Sequence, residues 1–253
     1  MAIDQTLRDG IAEIVMCNPP VNALDVAGWF ALADALRTAG EDPEVRVIIL
    51  TAEGRGFNAG VDIKEMQQTD GFDALIGANK GCYAAFAALY ECPVPVIAAV
   101  HGYCLGGGVG LVGNADLVIA ADDATFGLPE VDRGALGAAT HLARLVPQQR
   151  MRAMVYTCEQ ATAQELQGYG SVYDVVAPDQ LREAARDLAG RIAKKRPAVI
   201  RAAKASLNGI DPVDVHRSYR FEQGFTFELN LAGVGDEARD EFVGEGEGPS
   251  HDG

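Results

Sequence analysis

The stretch "VPVIAAVHGYCLGGGVGL" at residues 94–111 joins a strand-like run to a cluster of glycines. Residues 94–100 are apolar and rich in β-branched side chains, which is typical of a buried strand. Gly106, Gly107 and Gly108 follow soon after, although glycine is the residue least easily fixed in a helix or strand. A strand that ends in glycines and enters a helix leaves backbone N–H groups free, and these favour negative charge. The stretch therefore predicts either a tight strand–helix turn or a site for a phosphate or an oxyanion.

Neither common phosphate-binding fingerprint fits this stretch. No Lys-Ser/Thr pair follows the glycines, as a P-loop requires, and their spacing differs from that of a dinucleotide-binding loop. A second loop favours the oxyanion interpretation, because "EGRGFNAGVDIKEM" at 53–66 also follows a predicted strand and runs through glycine towards a helix. Two such loops after two strands of one sheet can lie side by side at its C-terminal edge. One amide from each loop would make a two-donor oxyanion hole.

The segments on either side of the glycines predict an α/β core. Strands and helices alternate up to about residue 121, which favours a parallel sheet covered by helices. After about residue 135 the pattern is helical and predicts no further strands, so we expect a cap or an assembly surface there. The predicted strands cover 11–18, 45–52, 94–100 and 116–121, and the predicted helices cover 26–39, 72–91, 178–194, 197–208 and 213–231.

The composition of the 253 residues is that of an ordinary globular protein, with 48% hydrophobic and 23% charged residues. The net charge of -15 argues against a nucleic-acid partner, which needs a basic face. Five cysteines without close-paired spacing predict free thiols in a reducing compartment. The N-terminus lacks a signal-peptide pattern, and glycines with His101 make 96–113 a poor membrane span. We therefore expect a cytoplasmic protein that binds neither nucleic acid nor membrane.

Four stretches of the chain resemble the crotonase superfamily, the enoyl-CoA hydratase/isomerase family. They are "NPPVNAL" at 18–24, "FNAGVDIKEM" at 57–66, "PVIAAVHGYCLGGGVGL" at 95–111 and "ADLVIAADDATFGLPEV" at 115–131. The resemblance implies an α/β fold of the crotonase (ClpP-like) type, a spiral of repeated ββα units with a helical C-terminal region used in trimerisation. The expected divisions are a spiral core at 1–195, a trimerisation region at 196–243 and a disordered acidic tail at 244–253.

The same resemblance implies a coenzyme A thioester substrate and a homotrimer or dimer of trimers. Coenzyme A would arrive as part of the substrate, with no permanently bound cofactor and no metal. The common task of the family is to stabilise a thioester enolate, for which the amides of Val61 and Gly107 stand at the matching positions. The positions that match substrate-binding or coenzyme A-binding segments are Ala23, Ala59, Gly60, Asp62, Ile63, Lys64, Gly106, Phe227 and Phe242.

One carboxylate of the family pattern is present and one is missing. Hydratases of this family carry a Glu three residues after the middle glycine and a second Glu twenty residues later. Two carboxylates can hold one water and manage its protons. This chain has Gly110 at the first position and Glu130 at the second, which makes Glu130 the expected catalytic acid/base and argues against simple hydration. Candidates to replace the missing group are Asp132 and His141, which we rank above Tyr83 and Glu222.

The C-terminal end departs from the family pattern. Many relatives reach the coenzyme A of a neighbouring subunit with an aromatic residue and then a terminal Lys. Phe227 and Phe242 match aromatic positions, but "VGEGEG" at 243–248 stands near the Lys position. Contacts to the phosphates must therefore come from elsewhere. Lys64 and Arg55 are candidates by position, and solvated loop charges are the simpler interpretation of both.

Three family chemistries fit one carboxylate plus an oxyanion hole: double-bond isomerisation, hydration with a replacement for the missing Glu, and hydrolytic ring opening. In the last, water adds to a ketone β to the thioester and expels the thioester enolate. The stretches at 54–67, 126–148 and 224–233 resemble the actinobacterial branch of the family that opens a ring of the bicyclic CoA thioester left from cholesterol breakdown. This resemblance favours the hydrolase. An inactive CoA-binding assembly protein is the alternative from another class, and Glu130 with both loops argues against it.

Overall fold

A computed structural model describes residues 2–69, 71–238 and 241 of the chain. Two sheets account for the strands in these ranges. The strands are β1 (Ala2–Arg8), β2 (Ile11–Cys17), β3 (Val47–Ala52), β4 (Val96–Val100), β5 (Tyr103–Leu105), β6 (Leu117–Ala121), β7 (Thr125–Gly127), β8 (Ala161–Thr162) and β9 (Asp174–Val176).

The main sheet has the strand order β1-β2-β3-β4-β6-β9, and the second sheet has the order β5-β7-β8. β1 and β2 form an antiparallel hairpin, whereas β2, β3, β4, β6 and β9 are parallel. Strands β4 and β6 of the main sheet are each followed at once by a strand of the second sheet, β5 and β7, which pair in parallel. This repeat of one strand in each sheet confirms the expected crotonase-type spiral.

Helices cover both faces of the main sheet and form the C-terminal region. The α-helices are α1 (Val26–Glu41), α2 (Ile63–Gln68), α3 (Asp73–Tyr90), α4 (Gly107–Asn114), α5 (Ala139–Leu142), α6 (Gln148–Thr157), α7 (Ala163–Tyr169), α8 (Leu181–Ala193), α9 (Pro197–Gly209) and α10 (Val215–Leu231). Short 3₁₀ turns lie at Val131–Arg133 and Pro178–Gln180.

The alternation of side chains along each strand divides the core into two clusters. Successive residues of a strand point to opposite faces, so Ile48 and Leu50 of β3 join the cluster that contains Trp29 of α1. Val47 and Ile49 join the cluster on the other face, where α8 packs. All six residues of β3 are buried. A parallel sheet covered on both faces requires such continuous apolar strands.

The structure confirms the predicted long elements and corrects the C-terminal half. The expectation of no strands after about residue 135 is wrong, because β8 extends the second sheet and β9 pairs with β6 at the edge of the main sheet. The loop predicted at 53–66 ends early, since α2 begins at Ile63 with Asp62 as its N-cap. The expected tail at 244–253 lies outside the described residues.

All five cysteines are free, as the sequence predicts. In the described ranges, no helix is long and apolar enough to cross a membrane. Over those same ranges, no group of three or more His, Cys, Asp or Glu side chains is arranged to hold a metal ion.

Candidate active site

The glycine cluster forms a turn that opens directly into α4. Gly106 has a φ of 54°, in the left-handed region that favours glycine, and its N–H donates to the Gly127 carbonyl at 3.0 Å. Gly107 is the first residue of α4, where an amide has no acceptor within its own helix. The two interpretations of the sequence are therefore compatible, because the tight turn leaves an open amide at the helix start.

The second loop presents the amide of Val61. A short parallel bridge joins Leu24 to Val61, in which the Leu24 N–H donates to Gly60 and the Asp62 N–H donates to Leu24, both at 2.9 Å. In extended backbone, successive N–H groups point in opposite directions. The N–H of Val61 therefore points away from Leu24. Asn58 fixes the turn, because its Oδ1 accepts from the Gly60 N–H at 2.8 Å.

The two loops lie side by side, as the sequence predicts. The Leu105 N–H donates to the Asn58 carbonyl at 2.9 Å, which joins β5 to the first loop. A Cβ added at Gly60 would lie only 3.2 Å from the Gly107 nitrogen, and Gly60 has a φ of 88°. Glycine at this position thus allows the backbones that carry Val61 and Gly107 to approach closely. The arrangement suits a two-donor oxyanion hole.

A cavity of about 850 Å³, counting its open mouth, lies against these two loops. Its walls come from both loops, from α3, from the segment that follows β7 and from α10. The lining residues include Ala59, Gly60, Val61, Ile63, Met66, Leu75, Ala78, Asn79, Cys82, Phe86, Gly106, Gly107, Glu130, Arg133, Leu136, Gly137, Tyr219, Gln223 and Thr226. A largely apolar cleft with a few convergent polar groups is typical of a small-molecule site.

Glu130 places its carboxyl group inside this cavity, in contact with the glycine turn. A Cβ added at Gly106 would overlap its Oε1, and one at Gly137 would lie 2.5 Å from its Oε2. Oε2 is buried without a hydrogen-bond partner among the described residues. The pKa of Glu130 is raised from 4.5 to about 7, chiefly by burial; the charge of Arg133 opposes this rise and the charge of Glu222 contributes to it. A carboxyl group with this pKa can exchange protons near neutral pH.

The place of the missing carboxylate is filled by a ring. A Cβ added at Gly110 would overlap the phenyl ring of Phe86, which comes from α3. Phe86 is held by edge-to-face contacts with Trp29 at 5.8 Å and with His141 at 4.7 Å between ring centroids. Position 110 therefore has no room for any side chain while Phe86 keeps this position.

The structure does not bring Asp132 or His141 into the cavity. Asp132 is exposed in the 3₁₀ turn after Glu130, since the turn directs it outward. His141 is buried behind Phe86, and its Nδ1 lies 2.8 Å from Nδ2 of Asn114. Burial lowers the pKa of His141 to about 3, so the ring stays neutral. Neither residue is among those that line the cavity, so the geometry does not support the prediction that one of them replaces the missing carboxylate.

The remaining predicted positions divide into two groups. Ala59, Gly60, Ile63 and Gly106 line the cavity. Ala23, Asp62, Lys64 and Phe227 do not: the carbonyl of Ala23 accepts from Asn18, Asp62 caps α2, Lys64 is exposed and Phe227 is half-buried on α10. Phe242 lies outside the described residues.

Sequence reasoning did not identify which side chains of α3 form a wall of the cavity. Leu75, Asn79, Cys82 and Phe86 line the cavity from one face of this helix. Their spacing of three to four residues places them in one row. That period is visible in the sequence, but it does not distinguish a ligand wall from an ordinary core face.

Helix α10 supports the segment that covers Glu130. Glu222 accepts from the N–H groups of Ala139 at 3.0 Å and Thr140 at 3.2 Å. The amide of Gln223 donates to the Gly137 carbonyl at 3.1 Å, and Thr226 accepts from the Leu136 N–H at 3.0 Å. Burial raises the pKa of Glu222 to about 7, although these amides oppose the rise. The sequence indicated only that Glu222 could face the acyl pocket.

Fold and site together define a CoA-thioester enzyme of the crotonase type. Residues 6–224 match the enoyl-CoA hydratase/isomerase family, and the chain belongs to this family. Two relatives, from Rhodococcus jostii and Mycobacterium tuberculosis, are both named (7aS)-7a-methyl-1,5-dioxo-2,3,5,6,7,7a-hexahydro-1H-indene-carboxyl-CoA hydrolase. They are 65% and 63% identical to this chain, over 96% and 94% of it and over 94% and 96% of their own lengths.

Solved structures of the family agree with the fold. Carnitinyl-CoA hydratase from Mycobacterium avium superposes with a TM-score of 0.85 at 30% identity, covering 96% of each chain. An enoyl-CoA hydratase/isomerase from Xanthobacter autotrophicus superposes with a TM-score of 0.87 at 27% identity, covering 97% of this chain and 93% of that one.

Proposed function

We propose that this protein is a hydrolase that opens a ring of a bicyclic keto CoA thioester. The observation that carries the proposal is the site's asymmetry: Glu130 stands beside the two loop amides, and Phe86 closes the place of a second carboxylate. The names of the two relatives above 60% identity support the substrate class.

The proposed reaction begins with water and Glu130. The carboxylate takes a proton from a water molecule, and the resulting hydroxide adds to a ring ketone carbon. The bond from that carbon to its ring neighbour breaks, and its electron pair passes through the conjugated carbons to the thioester oxygen. The former ketone becomes a carboxylic acid, and the enolate receives the proton that Glu130 holds. One water is consumed and no oxidant or reductant is needed.

The two loop amides stabilise the charge that forms. In the substrate the thioester oxygen is neutral, and it becomes an oxyanion only when the ring bond breaks. Donors from Val61 and Gly107 aimed at that oxygen therefore act more strongly on the transition state than on the ground state. We propose that coenzyme A is bound only as part of this substrate, with no resident cofactor or metal.

The test compares Glu130→Gln with Asp132→Asn on the bicyclic thioester. Glu130→Gln keeps the shape and removes the base, so turnover should fall by roughly 10²–10⁴-fold, the usual contribution of a positioned base. Asp132→Asn is the matched control, because it changes an exposed carboxylate two residues away. Its rate should stay within about twofold of wild type.

Three outcomes would contradict the proposal. If Glu130→Gln and Asp132→Asn lose turnover equally, Glu130 is not the general base. Fast hydration of crotonyl-CoA by the wild type would favour a hydratase. A double-bond shift in a 3-enoyl-CoA, with no water gained by any substrate, would favour an isomerase.

We further propose that the protein assembles as a homotrimer or a dimer of trimers. Large apolar side chains are exposed on and after the last two helices. They include Leu207 at 62%, Ile210 at 74%, Phe221 at 71% and Leu231 at 72% exposure. A patch of this kind marks an interaction surface. A cytoplasmic location is proposed from the five free thiols, since disulfides are rare there.

A further inference from the structure

Asn79 carries a buried polar group that nothing in the fold uses. It lies in the middle of α3, is 8% exposed and lines the cavity. Its Nδ2 is buried without a hydrogen-bond partner among the described residues. The neighbouring parts of this wall, Leu75 and Ala78, are apolar.

An unpaired buried amide weakens a fold. Most buried polar side chains in proteins have a partner, and leaving one unpaired costs stability that an apolar residue of the same shape would not. Asn79 lies inside α3, which spans Asp73–Tyr90, so its amide does not cap an end of the helix. The amide is therefore better explained by a ligand that supplies its partner.

Asn79 and Glu130 line the same cavity. Asn79 and Cys82 are three residues apart and share one face of α3. Cys82 is near enough to Glu130 that the carboxylate, after burial itself, raises the pKa of its thiol. A ligand held between the two loop amides and Glu130 would thus occupy the cavity that Asn79 also lines.

Three other polar side chains of the cavity, those of Gln223, Thr226 and Tyr219, already have partners. Gln223 donates to the carbonyls of Leu136 and Gly137, and Thr226 bonds to Leu136. The hydroxyl of Tyr219 is engaged with the thiol of Cys82. The amide of Asn79, with two donors on its nitrogen, remains available to a ligand.

We propose that the Asn79 amide donates a hydrogen bond to a ketone oxygen of the acyl group, the ketone that hydrolysis leaves intact. This inference rests on the proposed function. The relatives' substrate name contains two oxo groups, and ring opening consumes one. The other would otherwise be buried without a donor, which disfavours binding. Asn79 is thereby a specificity-determining residue that selects diketone substrates over monoketones.

The test is a binding cycle in the Glu130→Gln background, where turnover should be roughly 10²–10⁴-fold slower and disturbs the binding measurement less. The ligands are the CoA thioester of the 1,5-dioxo hexahydroindene carboxylic acid and its two monoketone analogues, 1-oxo and 5-oxo. Asn79→Leu keeps the branching of the side chain and removes its polar atoms. Loss of one neutral hydrogen bond should weaken diketone binding by about tenfold.

The analogues separate recognition from packing. Asn79→Leu should weaken one monoketone about as much as the diketone and leave the other, which lacks the recognised oxygen, unchanged. Leu75→Ala, one turn earlier on the same wall, should weaken all three ligands alike, because it removes only apolar contact. The melting temperature of Asn79→Leu without ligand should not fall.

Two results would overturn the inference. One is an equal change for all three ligands in Asn79→Leu, or no change for any. The other is a clear fall in its melting temperature, which would assign Asn79 a structural role. The proposed hydrolysis fails separately, if wild-type enzyme binds the diketone but does not open it, and the binding cycle still decides the role of Asn79 in that case.

Discussion

At the scale of single residues, the chemistry depends on how deeply one carboxyl group is buried. Glu130 lies between Gly106 and Gly137, where no side chain at either glycine would fit. This packing excludes water from Oε2 and raises the pKa of Glu130 to about 7. A base needs a pKa near the working pH to be both deprotonated and strong enough. Gly106 and Gly137 thus allow the close packing that raises the pKa of Glu130.

The first prediction is a pH profile. Because Glu130 must be deprotonated to act as a base, kcat/KM should fall by about tenfold per pH unit below about pH 7 and level off above it. A profile that is flat between pH 5 and 8 would exclude Glu130 as the base. A parallel stopped-flow series in a second buffer distinguishes the titration of Glu130 from effects of the buffer.

The raised pKa of Glu130 also makes the stability of the fold depend on pH. The folded state binds the proton of Glu130 more tightly than the unfolded state, so its contribution to stability is lost as the pH rises from about 4.5 to about 7. Glu130→Gln should therefore raise the melting temperature more at pH 8 than at pH 5. An equal change at both pH values would mean that the carboxyl group is not buried as described.

The second prediction concerns Gly110 and Phe86. Gly110→Glu alone should lower the free energy of unfolding by about 1–3 kcal/mol, because the new side chain meets the Phe86 ring. It should give no hydratase activity. Gly110→Glu combined with Phe86→Ala should fold better than Gly110→Glu alone and hydrate crotonyl-CoA measurably.

Phe86→Ala alone is the control for that pair, since it opens the space without adding a carboxylate. If Gly110→Glu alone keeps the wild-type melting temperature, the ring does not close this position. If the double variant binds crotonyl-CoA and shows no hydration, the second carboxylate is not what separates this enzyme from hydratases.

At the scale of elements, α10 holds the segment that covers the carboxyl group of Glu130, the proposed base. Glu222 accepts from the N–H groups at the start of α5, and Gln223 and Thr226 bond to the turn before it. Gly137 lies in that turn and contacts Glu130. The position of α10 is therefore linked to the environment of Glu130 through three side chains.

The third prediction tests this link with Glu222→Ala. Without the Glu222 carboxylate, residues 135–140 should loosen and admit water to Glu130, which lowers the pKa of Glu130. Loss of the Glu222 charge should lower the pKa of Glu130 as well. The acid limb of the pH profile should therefore shift below pH 7. Misplacement of the Glu130 carboxyl group should also reduce kcat by about tenfold or more. Glu222→Gln, which keeps an acceptor, should shift the limb and retain most of kcat. An unchanged limb in both variants would contradict the link.

Long elements could be predicted from the sequence and short ones could not. β3 and β4 are continuous apolar runs, and α1 and α8 carry a clear helical period, so all four are visible in the sequence. β5, β7, β8 and β9 have two or three residues each, which is too few for any period to appear. Their pairing depends on neighbours far along the chain.

At the scale of the whole molecule, several large apolar residues of the C-terminal helices are exposed, which is the basis of the proposed assembly. Phe221 and Phe225 of α10 contact each other edge to face with centroids 5.3 Å apart, and both remain exposed. The opposite face of α10 supports the cavity. Assembly through this helix would thus fix the element that covers Glu130.

The fourth prediction is the oligomeric state. Light scattering at micromolar concentration should give a mass three or six times the chain's 26.7 kDa. Phe221→Asp, which places a charge in the exposed patch, should give smaller species and reduced turnover. A monomer mass for the wild type would contradict the proposed assembly. If Phe221→Asp has the same mass as the wild-type assembly, this face of α10 is not part of the interface.

The candidate site was predictable where motif and geometry agree and not elsewhere. Val61, Gly107 and Glu130 stand in motifs and lie together at the cavity, as expected. Asp132 and His141 follow in the same stretch, but proximity in sequence does not decide orientation: one faces solvent and the other is enclosed by aromatic rings. Asn79 and Phe86 come from a helix without a motif, and only the fold brings them to the site.

In the proposed reaction, this site adds one water to a ring ketone and leaves a carboxylate. The most direct measurement is mass spectrometry of the product after wild-type enzyme acts on the 1,5-dioxo hexahydroindene carboxyl-CoA in ¹⁸O-labelled water. We expect a product that has gained the mass of one labelled water, with the label in a new carboxyl group and the CoA thioester intact. A product without added water, or label found in a carboxyl group released with free coenzyme A, would contradict it.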